Sequence, residues 1–281
     1  MTSLTDSVVR ALTTDGAFRV IVASTTSTAR GAVDAQAARG ATARHFADLV
    51  TGSILVRETM APTLRVQGIV KGAGKTGGLV GDSHPDGSAR GLVQVASGVE
   101  IDLDGALLQM MRTLPNGALH QGIVELGGDL SQGLMVYMQQ SEQVESVIAV
   151  GTLFEGDRVV DAGGYIVQLL PEASPGALAL MTERLTKLPP LAQLLGSTRS
   201  EPRALLAELL TDQAYEVLEE SPLRFECRCS HERVLASLGT LPRHEIQEMR
   251  DERRTFEITC DYCQVDYKIT TEDLASILDV N

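Results

Sequence analysis

Tryptophan is absent from this chain, and aromatic residues make up only 4% of it. That scarcity argues against a stacking platform for single-stranded nucleic acid. Basic charge is scarce as well: 24 Lys and Arg face 37 Asp and Glu, a net charge of −13. Nucleic-acid and anionic-membrane binders usually carry the opposite balance. Acidity of this size favours solubility, which matters to a protein that exposes apolar surface. Long apolar runs are missing too. Ser146–Phe154 is among the longest and is about half of what a bilayer-spanning helix needs. Met1 to Asp15 is mixed polar without an apolar signal core, so the expected compartment is the reducing cytosol rather than the exterior. Cysteine is absent from the first 226 residues. A disulfide-stapled secreted fold would spread its cysteines along the chain.

What the chain does contain is enough apolar residue, 43%, for one sizeable core and a smaller satellite. In the first part, Ser3 or Thr5 is placed to cap a short helix ending near Thr14, and Phe18–Ala23 reads as a strand. Arg30 to Met60 has helical spacing broken at Gly40. Strand-like runs follow at Thr63–Val70, Ala89–Val95, Gln121–Leu126, Glu145–Phe154 and Arg158–Leu170, with a helix expected over Leu130–Gln143. Strands that succeed one another without helices between them predict an α+β domain with largely antiparallel pairing. From about Pro175 the pattern turns helical, over Ala177–Thr186, Leu191–Leu195 and Ala204–Leu218, interrupted by Pro189-Pro190 and by Gly196–Arg203. It reads as a helical connector, not a second core. The expected division is an α+β core over residues 1–177, a helical linker over 178–225 and a metal-binding module over 226–281.

The four cysteines carry the chemistry. Cys227-x-Cys229 is followed after thirty residues by Cys260-x-x-Cys263, whose flanks Thr255–Thr259 and Gln264–Ile269 are strand-like. That is the setting of a zinc knuckle. Four thiolates form a closed tetrahedral Zn²⁺ site with no open position for substrate, so the expected ion is structural, one per chain. In an extended segment residues two apart share a face, so Cys227 and Cys229 can turn to one metal. Their Cα atoms would stand about 6.6 Å apart in a strand, near the upper limit for a direct S–S bond without bending of the backbone. His231 could ligate, but with four cysteines at hand a solvent-facing helical position is preferred. Ser230 is placed to cap a helix to Leu238 with Gly239 at its end, Pro242–Glu252 gives a second helix, and Thr270–Asp273 starts a third. With few large apolar residues, the module should depend on the metal for its fold.

Other motifs carry less. Gly72-Ala73-Gly74-Lys75-Thr76-Gly77 suggests a phosphate loop, but Ile69 stands where that pattern needs glycine. A polar turn with Pro85 and Gly87 accounts for Asp82, Ser83, His84 and Asp86. His45 and His120 stand alone. No catalytic constellation emerges, so an enzyme is not expected.

The cysteine spacing, with Phe225–Ser230 before a charged helix and Glu257–Cys263 before Tyr267, Asp273 and Leu274, resembles the heat shock protein 33 family. Tyr137–Val144 (YMQQSEQV), Ala162–Pro171 (AGGYIVQLLP) and Asp86–Val93 (DGSARGLV) are similar to core segments of that family, so the resemblance spans nearly the whole chain. Lys75-Thr76 and Val144-Glu145 depart from it without touching the cysteines. The resemblance implies a redox-regulated, ATP-independent holdase chaperone. Its reduced form, with zinc on four thiolates, would be inactive. Peroxide or hypochlorous acid would form the disulfides Cys227–Cys229 and Cys260–Cys263, release zinc, loosen the linker and expose surface for unfolding client proteins, in a homodimer. The rival reading is a constitutive zinc-ribbon interaction protein of transcription or translation. The 7 basic against 11 acidic residues from Cys227 to Asn281 weaken a nucleic-acid role.

Overall fold

Residues 5–280, apart from 97, 115, 172, 199 and 200, are described by a computed structural model. Its chain divides into two compact units, residues 1–226 and 227–281. In the first unit β1 (Ser7–Thr13), β2 (Phe18–Ser24), β8 (Ser146–Glu155), β9 (Arg158–Leu169) and β10 (Tyr215–Pro222) form one antiparallel sheet in the order β10-β1-β2-β9-β8. A second sheet, in the order β11-β5-β4-β3-β6-β7, holds β3 (Arg65–Lys71), β4 (Gly77–Ser83), β5 (Ser88–Val95), β6 (Asp104–Thr113), β7 (Leu119–Gly127) and β11 (Arg224–Phe225). All its pairs are antiparallel except β11 with β5.

Helices α1 (Thr26–Ala35), α2 (Gly40–Thr59) and α3 (Leu130–Tyr137) fill the space between the sheets. Helix α2 has no amphipathic stripe, because it needs none. Phe46, Leu49, Val50, Ile54, Leu55 and Val56 point around its whole circumference and all are fully buried. Strand alternation then sorts the first sheet's two faces. Ile21, Ala23 and Ile166 join the inter-sheet core, while Val20, Val22, Tyr165 and Val167 face a second apolar cluster.

That second cluster is built by α4 (Pro175–Lys187), α5 (Leu191–Thr198) and α6 (Pro202–Leu209), which bury Met181, Leu194, Leu195, Leu205, Leu206 and Leu209 on the outer face of the first sheet. The region read as a connector is thus a packed layer with a core of its own. The helix expected over Ala204–Leu218 stops at Leu209, and Asp212 turns left-handed (φ 61°). The chain then returns as β10 along β1, with Tyr215 and Val217 alternating inward. Leucines and glutamates, good helix formers, masked that alternation. The helix expected near the N-terminus is likewise replaced by β1, a strand paired on both sides. Of its two suggested caps, Ser3 lies outside the described residues and so does part of the break Gly196–Arg203. Strands β4 and β6 were not anticipated, and the expected helix Leu130–Gln143 ends as α3 followed by a wider π-type turn over Met138–Glu142. Among the described residues no helix is long and apolar enough to cross a membrane.

The chain leaves this unit under restraint. Arg224 N and Glu226 N donate to Gly87 O and Ala89 O, at 3.0 Å each, as β11 runs beside β5. The Phe225 ring packs on Gly31 of α1, where any Cβ would come within 2.7 Å of it.

One buried carboxylate works against the fold. Asp48 of α2 accepts a 2.7 Å hydrogen bond from Thr152 Oγ1. Burial nevertheless pushes its carboxyl up to about 7, against the pull of Thr152 and Arg44 and with a further push from Asp129. Folding therefore favours the protonated form. The group is neutral on this account below the unfolded carboxylate value and costs stability as pH climbs toward 7 and beyond. Asp48→Asn, which keeps an acceptor for Thr152, is expected to stabilise by about 1–3 kcal/mol at pH 8 and by almost nothing at pH 4. Denaturant midpoints at the two pH values measure this, and an equal shift at both would refute it.

Candidate metal centre

Residues 227–281 form α7 (His231–Leu238), α8 (Arg243–Asp251), the hairpin β12 (Phe256–Thr259) and β13 (Asp266–Ile269), and α9 (Thr271–Val280). The core is small: Ile246, Ile269, Leu274, Ile277 and Leu278 are its buried members. Side chains cap the starts of α7 and α9, while α8 begins after Pro242 without such a cap. Ser230 Oγ accepts from Arg233 N at 3.3 Å, while Thr270 and Asp273 bond each other's backbone N–H at the start of α9. Gly239 does follow α7, but in right-handed helical conformation, so it does not act through left-handed freedom.

The second cysteine pair sits on the turn of the hairpin. Cys260 N donates to Val265 O at 2.9 Å, Gln264 N donates back to Cys260 O at 2.8 Å, and Gln264 takes the left-handed conformation (φ 58°). This tight turn aims both sulfurs to one side. The first pair arrives on the segment that precedes α7. The four Sγ atoms lie within 4.8 Å of one another, all in half-buried positions. Cys227 to Cys260 is 3.7 Å and Cys229 to Cys263 is 3.3 Å.

That array can hold a metal ion. Four sulfurs at about 2.3 Å from a tetrahedral centre stand about 3.8 Å apart, close to the separations here. No sulfur pair is covalently joined. The electrostatics of the set are uneven. Burial pushes the Cys229 thiol up, but hydrogen bonds from Tyr267 Oη (3.0 Å) and from the neighbouring cysteines outweigh it and bring the group down to about 7. Burial raises Cys263 well above the ordinary thiol range, and its contacts with the other cysteines add to the rise. Tyr267 is pushed up to about 12, first by its bond to Cys229.

The structure gathers Cys227, Cys229, Cys260 and Cys263, all four of the cysteines singled out from spacing. His231 is not among them. Its Nε2 lies 3.1 Å from Asp273 Oδ1, which ties the start of α7 to the start of α9. Tyr267 escaped attention as a functional side chain. The available signal was its place on β13, on the same face as the buried Ile269 and ending in a polar atom.

The remaining motifs belong to the first unit. The glycine-rich run Gly72–Gly77 is the turn between antiparallel β3 and β4, whereas a phosphate loop leads from a strand into a helix. Asp86 Oδ1 accepts from Ser88 N and Oγ in the expected polar turn. Asp82 and His84, however, are buried, and Asp82 carries a charge network. Arg65 Nε and Arg90 Nε lie 2.6 and 3.0 Å from its carboxylate and His84 Nε2 lies 3.3 Å away. Burial alone would raise Asp82, but the hydrogen bonds from His84 and Arg65 and their charges hold it far below the usual carboxylate range.

Comparison with known proteins places this geometry in context. The family model described as Hsp33 protein matches residues 6–270. A 33 kDa chaperonin of Streptococcus pneumoniae (strain Hungary19A-6) is 30% identical over 289 aligned positions, covering 97% of this chain and 98% of the relative. The crystal structure of the 33 kDa chaperonin (heat shock protein 33 homolog) of Thermotoga maritima superposes with a TM-score of 0.84. It covers 99% of both chains at 22% identity, a likeness of fold.

Proposed function

The chain belongs to the Hsp33 family of chaperones, and from that premise we propose that it is an ATP-independent holdase switched on by oxidation of its four-cysteine centre. The observation that carries the reading is the convergence of four thiols, from segments more than thirty residues apart, in a unit with a small apolar core. Cys227, Cys229, Cys260 and Cys263 would hold one Zn²⁺ in the reduced form. Bound there, the ion supplies a structural cross-link and keeps the sulfurs as thiolates.

The same four sulfurs are the switch. Two thiols and one hydrogen peroxide give one disulfide and two waters, so two peroxides convert the set to two disulfides and leave no thiolate ligand. The shortest separations run across the motifs, Cys227 to Cys260 and Cys229 to Cys263, as a tetrahedral array permits. Once the unit opens, sulfurs two or three residues apart meet far more often than sulfurs over thirty apart. The products that the family resemblance implies, Cys227–Cys229 and Cys260–Cys263, agree with this, and the latter should form first because its longer loop closes with less strain. Residues 178–225 act as the linker between the core of residues 1–177 and the switch of residues 226–281. Their helices α4–α6, released from the first sheet, uncover the apolar face that holds partly unfolded proteins, with the oxidised chain acting as a dimer in the cytoplasm. The acid balance of the chain supports protein clients over nucleic acid.

Oxidised full-length protein is expected to suppress aggregation of a heat-unfolded client, and reduced zinc-loaded protein is not. Elemental analysis should count one zinc per chain before oxidation and none after, with peptide mapping showing the two pairs named. Equal holding by both forms would instead establish a constitutive zinc-module protein.

A further inference from the structure

Tyr267 reaches the sulfur set from a strand that carries none of the cysteines. It sits on β13 opposite Ile258 of β12, so its place is fixed by a paired hairpin. Its hydroxyl extends to Cys229 Sγ, thirty-eight residues away in sequence, at 3.0 Å. Cys229 is also the sulfur that lies 3.3 Å from Cys263. One O–H donor thus binds to the atom that makes the shorter of the two sulfur contacts between the halves of the set. A hydrogen bond to sulfur withdraws charge from it. Lower charge weakens the sulfur as a nucleophile as well as fixing its direction.

We propose that Tyr267 is a positioning residue that restrains oxidation of the metal-loaded centre, by donating its hydroxyl to Cys229 and lowering the nucleophilicity of that sulfur, already a thiolate when it holds the metal, toward peroxide. The inference rests on the reading of the four cysteines as a metal-binding redox centre. In the step it governs, Cys229 sulfur gives an electron pair to one peroxide oxygen and the O–O bond breaks. Sulfenic acid forms at Cys229, and the departing hydroxide takes up a proton to become water. Attack of the Cys227 sulfur on that sulfenic acid then forms the S–S bond and expels a second water. Tyr267 loses nothing in either step. Its hydroxyl only makes the first electron pair less available.

The conservative variant Tyr267→Phe keeps the ring and removes the donor. In full-length protein loaded with Co²⁺, tetrahedral thiolate coordination gives d–d bands and a sulfur-to-cobalt charge-transfer band. Removing the donor leaves sulfur richer in electrons, so the charge-transfer band is expected to move to longer wavelength while the d–d pattern stays. With the zinc-loaded protein and limiting peroxide, thiol trapping followed by mass spectrometry should show Cys229 lost roughly threefold faster than in the unchanged protein, with Cys260 little changed. Replacing Tyr267 by a difluorinated tyrosine, whose more acidic hydroxyl donates more strongly, should shift both readouts the opposite way. An unmoved band with unchanged Cys229 kinetics in the Phe variant overturns the proposal. So does a Phe variant that no longer takes up cobalt, which would make the hydroxyl part of the scaffold. Failure of the unmodified protein to bind cobalt through sulfur would instead refute the metal-centre reading beneath it.

Discussion

Stripping metal from the reduced protein with a chelator, or replacing Cys263 with Ser, is expected to unfold residues 227–281 while the core of residues 1–177 remains folded. The two units differ in what holds them. The first buries an all-round apolar helix between two sheets and adds a second cluster outside. The other has five buried aliphatic side chains across three short helices and a hairpin of four-residue strands. Domains of this size seldom stand on such a core without a staple. Structural zinc sites contribute about 10–16 kcal/mol of apparent binding free energy, comparable with the whole stability of about 5–15 kcal/mol of an ordinary domain. Hydrogen exchange after chelation should bring amides of α7, β12, β13 and α9 to unprotected rates. Those of α2, β2 and β9 should keep their protection. Persistent protection in the hairpin without metal would show that its own packing suffices, and would remove the physical basis of the switch.

The second large effect is expected from Leu206→Asp, in reduced and metal-loaded protein. Leu206 is fully buried in the cluster that α6 forms with Val9, Ala11, Val20 and Val22 of the first sheet. A carboxylate there would stand among aliphatic side chains such as Val9, Val20, Leu205 and Leu209. An unpaired buried charge costs on the order of 3–5 kcal/mol. Helices α4, α5 and α6 span 13, 8 and 8 residues, too short to persist unsupported, so they should detach together. The bared sheet face should then hold unfolding clients without any oxidant. Leu180→Asp is the control, since Leu180 is 65% exposed on α4 and loses little by the change. Client aggregation assays with hydrogen exchange separate the outcomes. Helices released but no holding would exclude this face as the client surface. Helices still protected would mean that the layer is stronger than its short elements suggest.

The metal centre was legible because its determinants are local. Two short motifs, strand-like flanks around the second, and an Ser230 cap specify where each sulfur goes. Elements with strong alternation or helical spacing, such as β9 and α2, were equally plain. What escaped were segments whose state depends on distant partners. Strand β4 reads as a glycine-rich loop, yet Gly81 is there because a Cβ would fall 2.8 Å from Leu49 O, so closely does α2 lie on that strand. Strand β1 is held by ladders to β2 and to β10, the latter more than two hundred residues away. The linker looked like a chain of marginal helices, and by itself it would be. Its burial comes from the sheet beneath, which no local pattern announces. Tyr267 was visible as a residue but not as a donor, since that role needs the register of β12 with β13.

The chain order of these layers sets a timetable for synthesis. Strand β10 completes the edge of the first sheet, and β11 closes onto β5, yet both are made only after α4, α5 and α6. A ribosome adding about 5–20 residues per second needs roughly 3–10 s to pass from residue 177 to residue 226. In that interval β1, β2, β8 and β9 are already made, while α4, α5 and α6, which cover their outer side, are completed one after another, the last at Leu209. The newborn protein therefore carries for some seconds an apolar face that the finished molecule covers. Each copy of this chaperone is, at that stage, in need of one.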